Sequence, residues 1–513
     1  MLSGLTVALA LVPEAIAFSF VAHVDPIIGL YAAFMMGLIT SIFGGRPGMI
    51  SGATGAVAVI FAPLVIQQTK VHGMDGAIGY LFLAVIIMGL IQVAFGLLKW
   101  GKFIRLIPHP VMLGFVNGLA IVIFKAQFSQ FYIGTGDQAT LLPTQPLLVM
   151  IGLIALTMAI THWLPKITKA VPASLTAIGV VSLISIGLKS NGIDVLTVID
   201  FVKNMDPTKH TIAASLPQFS VPNVPLDWAS ITLVLPYAIL AASVGLIESL
   251  MTLVLIDELT ETRGRGNKES IGQGIANIIN GFFGGMGGCA MIGQSMINIR
   301  AGGRGRLSGI TAAVCLLGFI VFGAPLIEQI PLAALVGVMF MVVIATFEWS
   351  SFRVMRKIPR SDALIIILVS IVTVIVDLAI AVLLGVIVAA LVFAWEKGKR
   401  MAVTTFIDAS GTKHYELDGA LFFGSVTSFK SLFCIHEDPN DVIIDFKSAR
   451  VYDHSGLEAI QNISHRYSQV NKRVHLLNVS PECRDLLHKA DNIVEVSIID
   501  DLKNWHIAED RLA

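Results

Sequence analysis

The sequence predicts an all-α polytopic membrane domain of fourteen spans, built as two inverted repeats of seven, followed by a small cytoplasmic α/β domain. Three observations lead to this fold class. Hydrophobic residues make up 55% of the 513 residues and charged residues 14%, whereas a soluble domain carries about 25% charge. Apolar runs long enough to cross a hydrocarbon core of about 30 Å recur through residues 1–400. From residue 401 to 513 the composition changes to mixed charge and amphipathic patterns, which sets the domain boundary.

The predicted spans are fourteen apolar segments. In order they are 3–22, 27–43, 54–67, 79–98, 108–125, 146–164, 170–188, 229–256, 271–283, 291–299, 308–322, 327–347, 362–377 and 379–395. Segments 54–67 and 291–299 are too short to cross alone, because a helix rises about 1.5 Å per residue. If the N-terminus lies in the cytoplasm, every dense basic cluster falls on the cytoplasmic face of the membrane, as the positive-inside rule requires. We therefore expect a multi-pass protein of the cell inner membrane with both termini in the cytoplasm.

Two classes of protein are disfavoured by the absence of their motifs. No GxxxxGK[ST] phosphate-binding loop occurs in the sequence, so ATP-driven pumping is not expected and the chain is not predicted to be an enzyme. The four cysteines are scattered without metal-ligand or disulfide spacing, and no catalytic residue is indicated. Basic and acidic residues number 35 each, and we expect no nucleic-acid partner.

An internal repeat relates the two halves of the membrane domain. Three pairs of segments match in the same order: 11–16 with 234–239, 43–48 with 283–288, and Ile107-Pro108 with Ile330-Pro331. One such match could arise by chance among apolar segments rich in Gly and Pro. Three matches in the same order are much harder to explain by chance. The repeats cover about 1–190 and 229–396, and seven spans per repeat is an odd number, so the second must be inverted. Inverted repeats are typical of secondary transporters, whose binding site lies between the halves near the midplane.

Small residues follow the matching Phe-Gly-Gly turns, and each such stretch precedes one of the two short spans. These stretches predict an extended strand that reaches mid-membrane and then a half-helix. Two half-helix N-termini facing each other offer free N–H groups and positive dipole ends, which hold an anion without a fixed cation. The alternative is close helix packing through small residues. The predicted anion-binding residues are Ala53, Thr54, Gly55, Ile292, Gly293, Gln294 and Ser295.

Two glutamates lie inside predicted spans, where charge is costly and usually functional. Glu248 is central in the eighth span, and Thr252 lies one turn along on the same face. A carboxylate beside a hydroxyl suits Na⁺ coordination or a proton relay, although a neutral glutamate joining two helices has the same pattern. Glu14 follows Pro13 in the first span, and we expect it to line the same cavity.

Residues 401–513 predict a soluble α/β domain. Strand patterns at 403–408, 415–423, 441–446 and 473–478 alternate with helical patterns at 425–433, 455–469 and 481–490. The strand–loop–helix junction 442–456, Val-Ile-Ile-Asp-Phe-Lys-Ser-Ala-Arg-Val-Tyr-Asp-His-Ser-Gly, is its most specific stretch. This junction resembles the STAS domain of anti-sigma-factor antagonists and of sulfate-permease-type transporters.

Nearly the whole chain resembles the SulP family of sulfate-permease-like anion transporters. The resemblance runs from residues 12–18 (Val-Pro-Glu-Ala-Ile-Ala-Phe) to the STAS domain, and is most specific at residues 268–277 (Lys-Glu-Ser-Ile-Gly-Gln-Gly-Ile-Ala-Asn). It implies a seven-plus-seven fold with core and gate domains, as in uracil permeases, together with elevator-like movement and homodimers. It also implies an anion site between spans 3 and 10. Glu248 and Thr252 match the positions that serve Na⁺ in bicarbonate-transporting members.

The sequence departs from the family pattern in three places. Gln294 stands where many relatives carry arginine, so the site is less positive. Ile292 stands where bicarbonate-transporting members offer a hydroxyl to Na⁺. His454 replaces the phosphorylatable serine of anti-sigma antagonists in the regulatory segment Asp453, His454 and Ser455, so that switch is expected to be absent; Ser455 is predicted to cap a helix.

The sequence therefore predicts secondary active transport of a small inorganic anion, bicarbonate first and sulfate second. Coupling to Na⁺ or H⁺ through Glu248 is left open, and no cofactor other than Na⁺ as coupling ion is expected. The expected partners are the anion, the lipid bilayer and a second copy of the chain, with the STAS domain contributing to the dimer. Two alternatives remain: a nucleobase–proton symporter of the same fold, and a STAS signalling scaffold that the spans anchor in the membrane.

Overall fold

The computed structural model describes residues 1–101, 108–133, 140–168, 172–205, 216–225, 227–376, 378–398, 401–479 and 497–499. The chain divides into two compact units, Met1–Val386 and Ile387–Leu512. Ten helices in the described ranges are long and apolar enough to cross a membrane.

The first half of the membrane unit consists of long helices interrupted by one short strand before the third helix. Its elements are α1 (Leu2–Val21), α2 (Pro26–Phe43), β1 (Ser51–Gly52), α3 (Gly55–Leu97), α4 (His109–Gln127), the hairpin β2 (Tyr132–Ile133) and β3 (Thr140–Leu141), α5 (Thr144–Ile167), α6 (Ala173–Ser190) and α7 (Val198–Met205). The second half repeats the pattern of a short strand before a helix. Its elements are α8 (Trp228–Thr260), α9 (Gly266–Phe282), β4 (Cys289–Ala290), α10 (Ile292–Arg300), α11 (Arg306–Glu328), α12 (Leu332–Thr346), α13 (Ser351–Val354), α14 (Arg360–Ile375) and α15 (Leu378–Gly398).

Every predicted span overlaps a helix, and α3 contains two of them. The predicted span 327–347 begins too early, because residues 327–328 belong to α11 and α12 begins at Leu332.

The predicted end of the third span at residue 67 is wrong, because the helix continues to a break at Gly73, where φ is 71°. Residues 55–72 therefore form a helix about 27 Å long, which is longer than the predicted half-helix. Polar residues extend it beyond the apolar segment: His72 Nδ1 lies 3.1 Å from Gln68 Oε1, one turn earlier. A left-handed φ favours glycine, so Gly73 is where the direction of the chain can change.

The membrane helices pack in two groups. One group contains α1, α2, α3, α8, α9, α10 and α11, and the other contains α4, α5, α6, α12 and α14. The groups meet along α1, which also packs against α6 and α12. This division confirms the core and gate arrangement that the family resemblance implies. Each group draws helices from both halves of the chain, as expected for intertwined repeats.

Glycines allow α3 and α9 to pack closely inside the core group. A Cβ at Gly89 would lie 2.6 Å from the Gly274 carbonyl oxygen, and a Cβ at Gly274 would lie 2.6 Å from that of Gly89. Backbones that approach this closely leave no room for larger residues, which is the usual form of helix contact in membranes. α9 is therefore fixed against the first repeat.

The C-terminal unit is a five-stranded sheet with two described helices. Its elements after α15 are β5 (Ala402–Ile407), β6 (Lys413–Leu421), α16 (Val426–Lys430), β7 (Asp441–Val451), α17 (His454–Ser468), β8 (Arg473–Leu477) and β9 (Ser497–Ile499). The strand order is β5-β6-β7-β8-β9, with β5 antiparallel to β6 and the other neighbours parallel.

The four predicted strands are present, whereas β9 was not predicted from the sequence. The predicted helix 425–433 is too long, because the chain leaves the helix after Lys430 and places Phe433 in the core against Phe429 and Tyr415. The predicted helix 481–490 lies outside the described residues.

Candidate functional site

The two short strands of the membrane unit pair with each other. β1 and β4 run antiparallel, with Ser51 opposite Ala290 and Gly52 opposite Cys289, and all four residues are buried. Because the strands run in opposite directions, α3 and α10 leave the pair in opposite directions. The starts of the two helices therefore lie at the two ends of one short ladder, where the repeats meet.

Neither helix start carries a side-chain cap. The cap residue of α3 is Thr54 and that of α10 is Met291, and neither cap side chain accepts a hydrogen bond from the N–H groups that follow it. The first helical bonds run from the Ala58 N–H to the Thr54 oxygen and from the Ser295 N–H to the Met291 oxygen, both 3.0 Å. The N–H groups between cap and first bonded residue therefore have no acceptor within the helix. With nine residues, α10 is about 14 Å long and cannot cross the membrane alone.

The predicted residues at the start of α3 are buried. Ala53 and Thr54 are almost fully enclosed, and a Cβ at Gly55 would lie 2.8 Å from the Phe18 ring and 2.9 Å from the Ile123 side chain. A side chain at position 55 would therefore displace the Phe18 ring on α1 and the Ile123 side chain on α4.

The start of α10 is more open. Gly293 is exposed, and a Cβ built on it would meet no atom within 4 Å, so space lies beside the uncapped N–H groups. Ile292 is partly exposed. Ser295 is buried, and its hydroxyl accepts a hydrogen bond from the Ile50 N–H at 2.9 Å. The Ser295 hydroxyl therefore joins the second repeat to the first, in addition to any contact with a ligand.

Glu14 and Gln294 are brought together although 280 positions separate them. The Gln294 amide on α10 donates a hydrogen bond to the Glu14 carboxylate on α1. Gln294 is buried and Glu14 is partly exposed, so the carboxylate lies at the edge of the same region. A neutral amide holds Glu14 here, so Gln294 adds no charge, and the two helix starts supply partial positive charge.

Glu248 lies beside both strand β4 and the start of α3. The Cys289 thiol donates a hydrogen bond to Glu248 Oε2 at 3.0 Å, and the same sulfur lies 3.2 Å from Thr54 Oγ1. Thr252 is on the same face as Glu248, as predicted, and its hydroxyl donates to the Glu248 carbonyl oxygen at 2.7 Å. Its proton is thus directed to the backbone of its own helix, while its oxygen keeps a lone pair for a cation.

Cys289 was not predicted as a site residue. A single cysteine has no partner spacing that would mark it as a metal ligand or as half of a disulfide, and the pairing of β1 with β4 places it at the site. The available signal was its position directly after the Phe-Gly-Gly turn, at the start of the extended stretch.

The segment Asp453, His454 and Ser455 begins α17 of the C-terminal unit. The prediction that Ser455 caps this helix is wrong, because Asp453 is the cap and its carboxylate accepts the Gly456 N–H at 2.9 Å. The other Asp453 oxygen accepts the Phe423 N–H at 2.8 Å, which ties the helix start to the loop after β6. His454 is exposed at the first helical position.

A crossing of two short strands between inverted halves, with an uncapped helix start at each end, defines a membrane transport fold. Residues 1–369 match the model of the sulfate permease family, and residues 406–504 match the STAS domain. The chain belongs to the sulfate permease family. It is a multi-pass membrane protein and an anion transporter with a C-terminal STAS domain.

Relatives of known name support this assignment. The chain is 42% identical over 488 residues to YbaR of Bacillus subtilis, whose name assigns it provisionally to sulfate transport; the match covers 95% of each protein. It is 33% identical over 398 residues to the bicarbonate transporter BicA of a Picosynechococcus species, covering 75% of this chain and 68% of BicA.

Two solved structures share the fold. The transmembrane domain of a cyanobacterial BicA superposes with a TM-score of 0.63 at 30% identity, over 74% of this chain and 95% of that one. SLC26A9 superposes with a TM-score of 0.80 at 16% identity, over 97% of this chain and 88% of that one. The second likeness extends the shared fold to the C-terminal unit.

Proposed function

We propose that this protein is a secondary active transporter of a small inorganic anion, bicarbonate first and sulfate second, which binds between the starts of α3 and α10. The observation that carries the proposal is the pair of uncapped helix starts at the ends of the β1–β4 crossing. Such starts offer several N–H donors and positive dipole ends to one ligand. Gly293 leaves open space at the α10 start for that ligand.

Charge balance favours a monovalent anion. Each helix start carries roughly half a positive charge, so two starts together offset about one negative charge. Gln294 adds no charge, and its amide is already bound to the Glu14 carboxylate. The two helix starts would neutralise bicarbonate when the Glu14 and Glu248 carboxylates are protonated or paired with a cation, whereas sulfate would bring a second negative charge that requires a further cation or proton. The names of the relatives include both anions.

Glu248 is the proposed coupling residue, for Na⁺ or for H⁺. Glu248 is partly exposed, and the Cys289 thiol connects its carboxylate to Thr54 at the start of α3. Oxygen ligands for Na⁺ are available from the Glu248 carboxylate and from the Thr252 hydroxyl oxygen. A cation bound there would lie close to the anion and would offset its charge, so the two would bind together.

Alternating access is proposed to occur by movement of the core group of helices against the gate group, as a homodimer in the inner membrane with both termini cytoplasmic. The core group carries β1, β4 and both helix starts. A rigid movement of this group would carry the whole site across the membrane without breaking its internal hydrogen bonds.

Uptake into proteoliposomes tests the proposal. The purified protein would be assayed with labelled bicarbonate, sulfate and uracil, each with a Na⁺ gradient, a proton gradient or neither, against protein-free liposomes. Saturable bicarbonate uptake that excess unlabelled anion suppresses is the expected result. Accumulation of uracil alone would replace the anion with a nucleobase. No uptake of any of the three would favour a membrane-anchored STAS scaffold.

A further inference from the structure

A stripe of buried polar side chains on α9 has no role in the site as described so far. Glu269, Gln273, Asn277 and Asn280 are each no more than 1% exposed. Their spacing of four, four and three residues places them on one face of the helix. Burying uncompensated polar groups is costly. The Asn280 side-chain amide has no hydrogen-bond partner among the described residues, whereas Glu269, Gln273 and Asn277 are each held by specific partners.

Those partners belong to the two extended segments that carry the helix starts. Gln273 Nε2 donates to Ser51 Oγ in β1 at 2.8 Å, and also to Glu269 Oε1 at 2.7 Å. Glu269 Oε2 accepts the N–H groups of Gly45 at 2.7 Å and Arg46 at 3.2 Å, in the turn before β1. Glu269 and Gln273, at the N-terminal end of the stripe, therefore hold the segment that contains β1 and the turn before it.

The segment that leads into β4 is held one turn further along α9. Asn277 Nδ2 donates to the Gly288 carbonyl oxygen at 3.0 Å, and Asn277 Oδ1 accepts the Gly288 N–H at 2.9 Å. Gly288 directly precedes β4. The same Asn277 amide donates to Gln92 Oε1 on α3 at 2.9 Å, which fixes its orientation.

We infer that Gln273 and Asn277 are positioning residues for the anion site, and that α9 sets the distance between the starts of α3 and α10. This inference rests on the proposed function. Residues four apart on one helix are separated by about 6 Å along its axis, so one rigid element holds β1 at one position and β4 at the next. A change at either residue would shift one helix start against the other. An anion that needs donors from both starts would then bind more weakly.

The test compares anion affinity in variants of the full-length protein. Asn277→Asp keeps the shape of the side chain and the acceptor for the Gly288 N–H but loses the donor to the Gly288 oxygen. We expect it to raise the KM for labelled bicarbonate uptake about tenfold while the maximal rate changes by less than about twofold. The Kd for bicarbonate, measured from the rise in unfolding temperature with anion concentration, should increase by the same factor. Ser270→Ala is the matched control, because Ser270 is buried on the same helix and, among the described residues, its hydroxyl bonds only to the Gly266 oxygen. The KM of this variant should not change.

A second pair of variants keeps the inference testable if Asn277→Asp does not fold. Gln273→Met has a similar shape but cannot donate to Ser51. Combined with Ser51→Ala, it should raise the KM no further than Gln273→Met alone, since both changes remove the same bond. Folded variants with the KM and Kd of the wild type would overturn the inference. The inference would also be overturned if these variants lowered only the amount of folded protein and left the KM and Kd of the folded fraction unchanged. A wild-type protein that neither transports nor binds either anion would instead overturn the proposed function.

Discussion

The Cys289 thiol donates a hydrogen bond to the Glu248 carboxylate at 3.0 Å while its sulfur lies 3.2 Å from the Thr54 hydroxyl. One side chain therefore contacts both the carboxylate on α8 and the residue at which α3 begins. Since Glu248 is the proposed cation site and Thr54 borders the proposed anion site, Cys289 is placed to influence both ions.

Replacing Cys289 with alanine should strengthen the apparent affinity for the coupling cation, because the thiol donates to the ionised Glu248 carboxylate and so competes with Na⁺ or a proton for the same oxygen. We expect a change of about threefold to tenfold in the Na⁺ or H⁺ concentration that gives half-maximal bicarbonate uptake. Cys289→Ser is the matched control, since a hydroxyl can still donate to the carboxylate, and its cation dependence should resemble that of the wild type. Equal cation affinity in the wild type and the alanine variant would remove Cys289 from the coupling site.

Replacing Glu248 with glutamine should abolish the cation dependence of uptake. The amide has nearly the same shape but no charge to attract Na⁺ and no carboxyl group to exchange a proton. The measurement is the initial rate of bicarbonate uptake with and without a Na⁺ or proton gradient. Glu258→Gln is a suitable control because Glu258 is exposed further along the same helix. A Glu248→Gln variant that keeps the full cation dependence would exclude Glu248 as the coupling residue.

Replacing Gln294 with arginine should shift the preference from bicarbonate toward sulfate. The guanidinium adds a positive charge at the α10 start and can pair with Glu14, so a divalent anion is better balanced. We expect the ratio of sulfate to bicarbonate affinity to rise at least about tenfold. Gln294→Met, which is neutral and similar in size, should leave that ratio unchanged while it releases Glu14. An unchanged ratio in the arginine variant would argue against an anion beside residue 294.

Replacing Asp438 with asparagine should destabilise the C-terminal unit by about 2 kcal/mol. Asp438 is buried and accepts hydrogen bonds from Lys413 at 2.6 Å, from the Tyr415 hydroxyl at 2.7 Å and from the Tyr467 hydroxyl. Hydrogen exchange of β6 and β7 in the full-length protein measures the loss, which corresponds to about thirtyfold faster exchange. Asp441→Asn is the control, since its pair with Arg473 is exposed and should contribute little. Equal exchange rates in the two variants would contradict this role.

The Asp438 contribution should also depend on pH. Burial by itself would raise the pKa of Asp438, but the hydrogen bonds from Lys413 and the two tyrosines outweigh it and hold the pKa below its usual value. A carboxyl group with a lowered pKa stabilises the fold above its unfolded pKa of about 3.9, and this contribution is lost as the pH falls through the folded pKa. The difference between the wild type and Asp438→Asn should therefore be full at pH 7 and shrink below about pH 4. A difference that stays constant from pH 7 to pH 3 would contradict the ionised state.

The architecture of the membrane unit was largely predictable because the bilayer imposes strict length and polarity rules. The apolar segments and the Phe-Gly-Gly turns identified the spans and the two short extended stretches that precede α3 and α10. The end of the third span was not predictable, since polar residues such as Gln68 and His72 continue the helix beyond the apolar run. The cap of α17 was misassigned because Asp453 and Ser455 are both common caps and only the chain geometry chooses between them.

The sequence by itself determined the class of fold, the repeat and the presence of a carboxylate at Glu248, because these follow from local composition and spacing. Only the tertiary structure decided which side chains meet at the crossing. The bonds from Cys289 to Thr54 and from Gln273 to Ser51 join positions 235 and 222 residues apart. Such contacts depend on the register of β1 against β4 and on the packing of α9, and each of these is set by the folding of both repeats together rather than by any single segment.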